Sequence, residues 1–313
     1  MQLLCLRVSI GVVFCLFASL GPLKAENQVD PRIMLVLDGS SSMWARVDGD
    51  VSKIEIAKGA IAELVGDWEA KMEFGITTYG HREESSCQDI ETVLPLDEVN
   101  SDKVVNVVDG ITPKGKTPLA AALRQAAKSL DYENQPAKIL LVSDGIENCG
   151  QDPCQAASEL AANAKDLSID IIGFDMNNHE MGQLECIATN GNGHMVRAEV
   201  GDFSKTMDHT MTAAIEEDTS NATLSISTLL LGQTLTQSLR YVIYANDDDG
   251  KLTKVAESFS AAPSLKLPAG KFIVEVIHGD EGSEHRSIAE IELAEADEVE
   301  HVFNFDELRP LTR

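Results

Sequence analysis

The sequence predicts an α/β protein: a doubly wound, mostly parallel six-stranded sheet with helices on both faces, followed by a small antiparallel β-sandwich. Two observations carry this reading. From Arg32 to about Glu217, short apolar runs alternate with amphipathic segments, as in a parallel sheet whose strands are joined by crossover helices. After Asn221 the helical windows stop, and short alternating strands separated by turns take over.

RIMLVLD, 32–38, is a continuous apolar run and predicts a strand buried on both faces. Ser52 then opens SKIEIAKGAIAELVGDW, where Ile54, Ala57, Ile61, Leu64, Val65 and Trp68 recur at helical spacing. MEFGITTY and DIETVLPL are strands joined by GHREESSC. That connection is too short for a crossover helix, so the two form an antiparallel pair at one edge. A helix is expected from about Asp97 to Val108, and LAAALRQAAKSL forms another. KILLVSD is a strand, CQAASELAANAK a helix with Pro153 near its start, and SIDIIGF a strand. QLECIAT predicts a short helix, HMVRA the last strand, and 202–217 a closing helix. Ligands of such sheets bind beyond the carboxyl ends of the strands.

EEDTSN, 216–221, reads as a linker between a domain at 30–217 and a second at 222–306. In the second, LSISTLLL, LRYVIYA, KVAESFS, KFIVEVIHG, RSIAEIELA and EVEHVFNF alternate with turns such as NDDDG and LPAG. Glu292, Glu295, Asp297, Glu298 and Glu300 read as an exposed face, because no loop there has calcium-binding spacing.

Residues 1–25 carry Arg7, an apolar run from about Val8 to Leu20, and Gly21, Pro22 and Ala25 near a cleavage point, the pattern of a secretory signal. The run is short for a membrane span, so a periplasmic or secreted chain with no stable span after cleavage is expected. The whole chain has 25 basic and 51 acidic residues; losing Arg7 and Lys24 leaves 23 against 51, a net charge of −28. Such a chain repels nucleic acid, whose binding depends on Lys and Arg displacing counterions. Of six cysteines, Cys87, Cys149, Cys154 and Cys186 remain. An even count in an exported chain favours two disulfides over zinc, since no CxxC pair occurs. Three pairings are open. Position favours Cys87 with Cys149, both in loops at the ligand-binding edge, and Cys154 with Cys186, which open consecutive helices; Cys149 with Cys154 is the local alternative.

RIMLVLD runs directly into Asp38-Gly39-Ser40-Ser41-Ser42, which gathers oxygen side chains in one loop at a strand's carboxyl end. Thr117, at a helix start, and Asp144, at the end of KILLVSD, come from two further loops at the same edge. Oxygen donors suit hard cations, and magnesium takes six of them at about 2.0–2.1 Å. The five residues resemble the von Willebrand factor type A (VWA) domain and its metal-ion-dependent adhesion site (MIDAS): the DxSxS motif falls on Asp38, Ser40 and Ser42, the distant threonine on Thr117, the distant aspartate on Asp144. MWARVDG, YGHR, SDGIENCGQDPC and LECIA are similar to a bacterial exported subgroup. The resemblance implies a Rossmann-like fold over roughly 31–217. It also implies a magnesium ion, with manganese or calcium able to substitute, and a non-enzymatic adhesion or scaffold role. The partner is expected to be a protein or peptide whose exposed Glu or Asp completes the ion's coordination.

Two enzyme readings compete. Gly110 to Thr117, GITPKGKT, satisfies the phosphate-loop pattern letter by letter, but the preceding VVNVVDGI has helical spacing where that mechanism needs a strand. A metallohydrolase needs a positioned base beside its water, and none stands near DGSSS. His81 reads as a loop residue, Trp44 as rim packing, and Thr117 doubles as a helix cap before Pro118.

Overall fold

The computed structural model describes residues 31–215, 222–230, 232–235, 239–246, 250–278 and 284–305. The secretory signal and the 216–221 linker expected from sequence lie outside these residues. The first region contains β1 (Arg32–Asp38), a 3-10 turn (Ser41–Trp44), β2 (Arg46–Asp48), β3 (Val51–Ser52), α1 (Lys53–Trp68), β4 (Glu73–Tyr79) and β5 (Ile90–Glu98). It continues through α2 (Ser101–Asp109), α3 (Leu119–Ser129), β6 (Pro136–Ser143), α4 (Pro153–Asn163), β7 (Asp166–Phe174), α5 (Asn178–Asn190), β8 (Met195–Ala198) and α6 (Phe203–Ile215).

The six-stranded sheet has the order β5-β4-β1-β6-β7-β8. Only the edge pair β4–β5 is antiparallel, as its short connection predicted. Alternation along β1 divides the interior into two layers. Ile33, Leu35 and Leu37 meet α1, α2 and α6 on one face, and Met34 and Val36 meet α3, α4 and α5 on the other. This double coverage explains why the strands read as unbroken apolar runs.

Two helices differ from expectation. α2 starts at Ser101, not Asp97, because Asp97 and Glu98 still pair with Phe74 and Glu73, and the Asn100 side chain caps the helix by accepting from the Lys103 amide. α5 is a 13-residue helix, longer than QLECIAT, because Asn177 and Glu180 form a reciprocal capping box at its start. Cys186 therefore lies within α5 instead of opening it, yet it still bonds Cys154 in α4 (Cα–Cα 5.3 Å).

The second region comprises β9 (Ala222–Leu230), β10 (Gln233–Thr234), β11 (Arg240–Asn246), β12 (Leu252–Ser258), β13 (Ser264–Leu267), β14 (Gly270–His278), β15 (His285–Leu293) and β16 (Glu298–Phe305). These make two four-stranded sheets: β12-β11-β14-β15, and β10-β9-β13 with β16 also on β9. Their inner faces share Leu224, Ile226, Tyr241, Ile243, Phe272, Val274 and Phe303 as a core. Pairing is antiparallel except between β9 and β16, which run parallel from Thr223 with Glu298 to Leu230 with Phe305. The chain changes sheet between β15 and β16, so no hairpin sets the direction of β16. Of the acidic group near the chain's end, Glu292, Glu295, Glu298 and Glu300 are exposed, while Asp297 Oδ2 accepts from the Ala294 amide.

The two regions meet through a polar seam. Glu185 of α5 accepts hydrogen bonds from the Ser258 hydroxyl and from the Phe259 amide at 2.9 Å. Buried Glu257 accepts from Arg240 Nε at 2.5 Å and from the Arg197 amide at 3.3 Å, with Arg197 Nη2 3.8 Å from its other oxygen. The Arg197 guanidinium also lies 5.6 Å over the Phe259 ring and donates to Asn178 at 2.6 Å. His194 sits between Asp170 Oδ1, 3.5 Å away, and the Lys266 carbonyl. Among the described residues, no helix is long and apolar enough to cross a membrane.

Candidate metal centre

The loops after β1 and β4 and the loop between α2 and α3 are laced together at the carboxyl edge of the sheet. The Ser41 amide donates to the Gly115 carbonyl at 3.0 Å, the Lys114 amide to Gly39 at 3.1 Å, and the Gly39 amide to Tyr79 at 3.0 Å. Gly80 has φ +64° and no room for a side chain, since a Cβ there would stand 2.4 Å from the Lys116 carbonyl. Close backbone approach is thus what fixes the loops.

The structure brings all five sequence-predicted oxygen residues to this edge. Asp38 is fully buried; its Oδ1 accepts from the Ser40 amide at 2.7 Å and its Oδ2 from the Ser143 hydroxyl at 2.6 Å. Ser40 Oγ and Ser42 Oγ are 3.1 Å apart, and Ser42 donates to Asp144 Oδ1 at 2.6 Å. A Cβ placed on Gly145 would lie 3.7 Å from Ser42 Oγ and 3.8 Å from Thr117 Oγ1, so those hydroxyls surround the same point. Thr117 is buried, and its hydroxyl is not a helix cap: Pro118 occupies the N-cap, and Asn148 Nδ2 reaches Thr117 Oγ1 at 3.4 Å. The Thr117 amide returns a bond to Asn148 Oδ1 at 2.9 Å.

Charge accumulates here. Burial, and then the Asp38 carboxylate, push Asp144 up to about 6. Its Oδ2 lies 3.1 Å from Lys53 Nζ, yet this buried oxygen accepts no aligned hydrogen bond. Lys53 reaches the site because the 3-10 turn and the β2–β3 hairpin fold back, with its amide bonding the Ala45 carbonyl at 3.0 Å. Burial works against the Lys53 charge, but Asp144 and Asp175 overcome it and raise its pKa. Tyr79, fully buried, places its hydroxyl 3.1 Å from Ser143 Oγ.

The donor set fits a hard dication. Magnesium–oxygen bonds of about 2.0–2.1 Å give an octahedron with edges of about 2.9 Å, near the 3.1 Å separation of the two serine hydroxyls. Two carboxylates and three hydroxyls are hard oxygen donors. A bound cation would take the place of the hydrogen bonds now shared between them, with the hydroxyls keeping their protons. Among the described residues, no group of three or more His, Cys, Asp or Glu side chains could hold a metal; this cluster is different because most of its donors are hydroxyls.

The other sequence candidates fall elsewhere. His81 is largely buried between Asp89, 3.8 Å away, and Glu91, 3.3 Å away, and burial lowers its pKa. Trp44, read as rim packing, is 50% exposed, while the 3-10 turn sends Met43 inward. GITPKGKT follows helix α2, not a strand, and its Lys114 and Gly115 amides are bonded to the Gly39 and Gly80 carbonyls, away from any phosphate. Cys87 and Cys149 form a disulfide (Cα–Cα 5.6 Å) that ties the β4–β5 loop to the loop after Asp144.

Sequence reasoning missed Lys53, Asp175, Ser143 and Asn148. Asp175 carried a usable signal, since it follows β7 as Asp38 ends β1 and Asp144 follows β6. Asn148 carried none, because its role depends on how the loop folds over Thr117.

The family model for the von Willebrand factor type A domain matches residues 33–211, and the chain belongs to that family. Two relatives come from Bacillus subtilis (strain 168). Uncharacterized protein YwmC is 30% identical over 179 residues, covering 54% of this chain and 78% of its own. Uncharacterized protein YwmD is 27% identical over 206 residues, covering 62% and 92%. Among solved structures, the von Willebrand factor type A protein of Catenulispora acidiphila has a TM-score of 0.49 at 12% identity, covering 84% of this chain and 66% of that one. Proximal thread matrix protein 1 of the mussel byssus has 0.47 at 19%; this chain covers 53% of its length.

Proposed function

We propose that this chain is an exported, metal-dependent protein-binding module. Asp38, Ser40, Ser42, Thr117 and Asp144 would hold one magnesium ion, which manganese or calcium can replace. An exposed Glu or Asp of a protein or peptide partner then completes the coordination. The observation that carries this reading is the oxygen cluster itself: Asp38, Ser40, Thr117 and Asp144 are buried with Ser42 exposed beside them, and a single ammonium, Lys53, stands against the Asp144 carboxylate. Two buried carboxylates with one ammonium beside them leave negative charge that a bound dication would offset.

Three of the five ligands are neutral hydroxyls, so a bound dication supplies a local positive charge that its own cage does not cancel. The chain as a whole is strongly negative, at −26, and would repel an acidic partner without that feature. Adhesion or scaffolding is favoured over hydrolysis because the nearby basic groups are engaged. Lys53 is shared by two carboxylates and His81 by two others. Export to the periplasm or beyond is supported by the two disulfides and the apolar N-terminal run.

Affinity capture from the native exported compartment, with and without EDTA, tests this reading against an Asp38→Ala variant. The expected partner is lost in both cases and also weakened by Thr117→Ala. A partner indifferent to all three changes would place recognition elsewhere on the molecule.

A further inference from the structure

Lys53 is a buried cation beside the oxygen cluster that the proposed chemistry does not use. Its side chain is 9% exposed, and Nζ stands 3.1 Å from Asp144 Oδ2 and 3.1 Å from Asp175 Oδ2. The Asp175 carbonyl, 3.5 Å away, also accepts from it. The ammonium is therefore fixed from two sides.

Its placement on Asp144 is specific. Oδ1 receives the Ser42 hydroxyl and faces the cluster, whereas Lys53 is on Oδ2. The ammonium thus leaves the cluster-facing oxygen available and neutralises the carboxylate from behind. A metal ligand whose charge is shared with an internal cation attracts a dication less strongly, and the two positive charges also repel each other. In a poorly solvated site neither effect is screened away.

We propose that Lys53 is a positioning residue that acts through Asp144 to weaken the protein's own hold on the metal, and so makes the bound ion depend on an outside anion. The inference rests on the metal-centre reading above. With Lys53 compensating Asp144, the cage offers close to one net negative charge, from Asp38, to a dication. The remaining positive charge is what an acidic side chain completes, and linkage then requires the metal and the anion to strengthen each other's binding. Asp175 restrains the effect by holding part of the ammonium's charge away from Asp144.

Calorimetric titration of the full chain with magnesium alone tests this, using wild type, Asp38→Asn, Lys53→Met, Lys53→Gln and Asp175→Asn. Wild type should bind weakly and Asp38→Asn not measurably; failure of wild type to bind would remove the metal-centre reading itself. Given binding by wild type, both neutral Lys53 variants should bind magnesium at least about tenfold more tightly. Asp175→Asn, which alters a carboxylate 38% exposed, should bind several-fold more weakly. If Lys53 only propped Asp144 in place, its removal would loosen binding. Equal or weaker affinity in a folded Lys53 variant would therefore overturn the inference while leaving the site intact. Should neither Lys53 variant fold, unchanged affinity in Asp175→Asn would overturn it.

Discussion

Two pairs of carboxylates lie in different parts of this molecule, and their surroundings differ. At the seam between the α/β region and the β-strands, Glu185 and Glu257 are matched: Glu185 accepts from Ser258 and Phe259, and Glu257 lies between Arg240 and Arg197. At the loop edge, Asp38 accepts from the Ser40 amide and the Ser143 hydroxyl, and Asp144 accepts from Ser42 with one ammonium, Lys53, 3.1 Å from its other oxygen. Burial alone does not mark a ligand site, because Glu257 is buried as Asp38 and Asp144 are. Surplus negative charge does, since matched charge is structural whereas unmatched charge needs a cation.

The comparison breaks most visibly at the seam. Glu257→Ala leaves Arg197 buried without its counter-charge and should cost about 3 kcal/mol of unfolding free energy, read by urea denaturation, with magnesium affinity unchanged. Asp38→Ala should do the reverse: magnesium affinity falls at least about a hundredfold by calorimetry, while metal-free stability shifts by only about 1–2 kcal/mol, since the Ser40 amide loses its acceptor but the Ser143 hydroxyl keeps Tyr79 and Gly145.

Asn148→Ala sharpens the loop-edge account. Asn148 touches Thr117 through both its carbonyl and its amide. Freeing that hydroxyl should weaken magnesium binding about tenfold, the usual effect of removing a residue that orients a ligand. An unchanged affinity would show that Thr117 is held by its backbone alone.

The smallest effect belongs to His194. Both its neighbours, Asp170 Oδ1 and the Lys266 carbonyl, are acceptors, so only the doubly protonated ring can donate to both. Burial lowers its pKa, but the hydrogen bond and charge of Asp170 outweigh this and hold it above 6.5. A raised folded value stabilises fully below about 6.5 and is lost as pH rises through that value. The thermal midpoint should therefore drop slightly above neutral pH in wild type, with that component absent in His194→Gln.

Much of this was legible in the sequence because it rests on periodicity. The sheet, the antiparallel edge and the placement of Asp38, Ser40, Ser42 and Asp144 follow from apolar runs and what stands at their carboxyl ends, whereas Thr117, at a helix start, joined them through the resemblance to the VWA motif. The length of α5 was not, because Asn177 and Glu180 extend it through a polar cap that an apolar count does not register. The direction of β16 was hidden because it depends on a change of sheet, not on a turn. Lys53 reads as the ordinary start of an amphipathic helix. Only the fold-back of the preceding hairpin places its ammonium beside Asp144.

The central claim is that the two carboxylates at the loop edge, with a single ammonium beside them and the neighbouring hydroxyls as further donors, form a divalent-cation site. Its most direct test is a magnesium titration of wild type beside the isosteric Asp38→Asn variant, followed by calorimetry on chain freed of metal with EDTA. The account predicts one saturable site in wild type and none in the variant, with both chains folded. Equal binding by the two would contradict it.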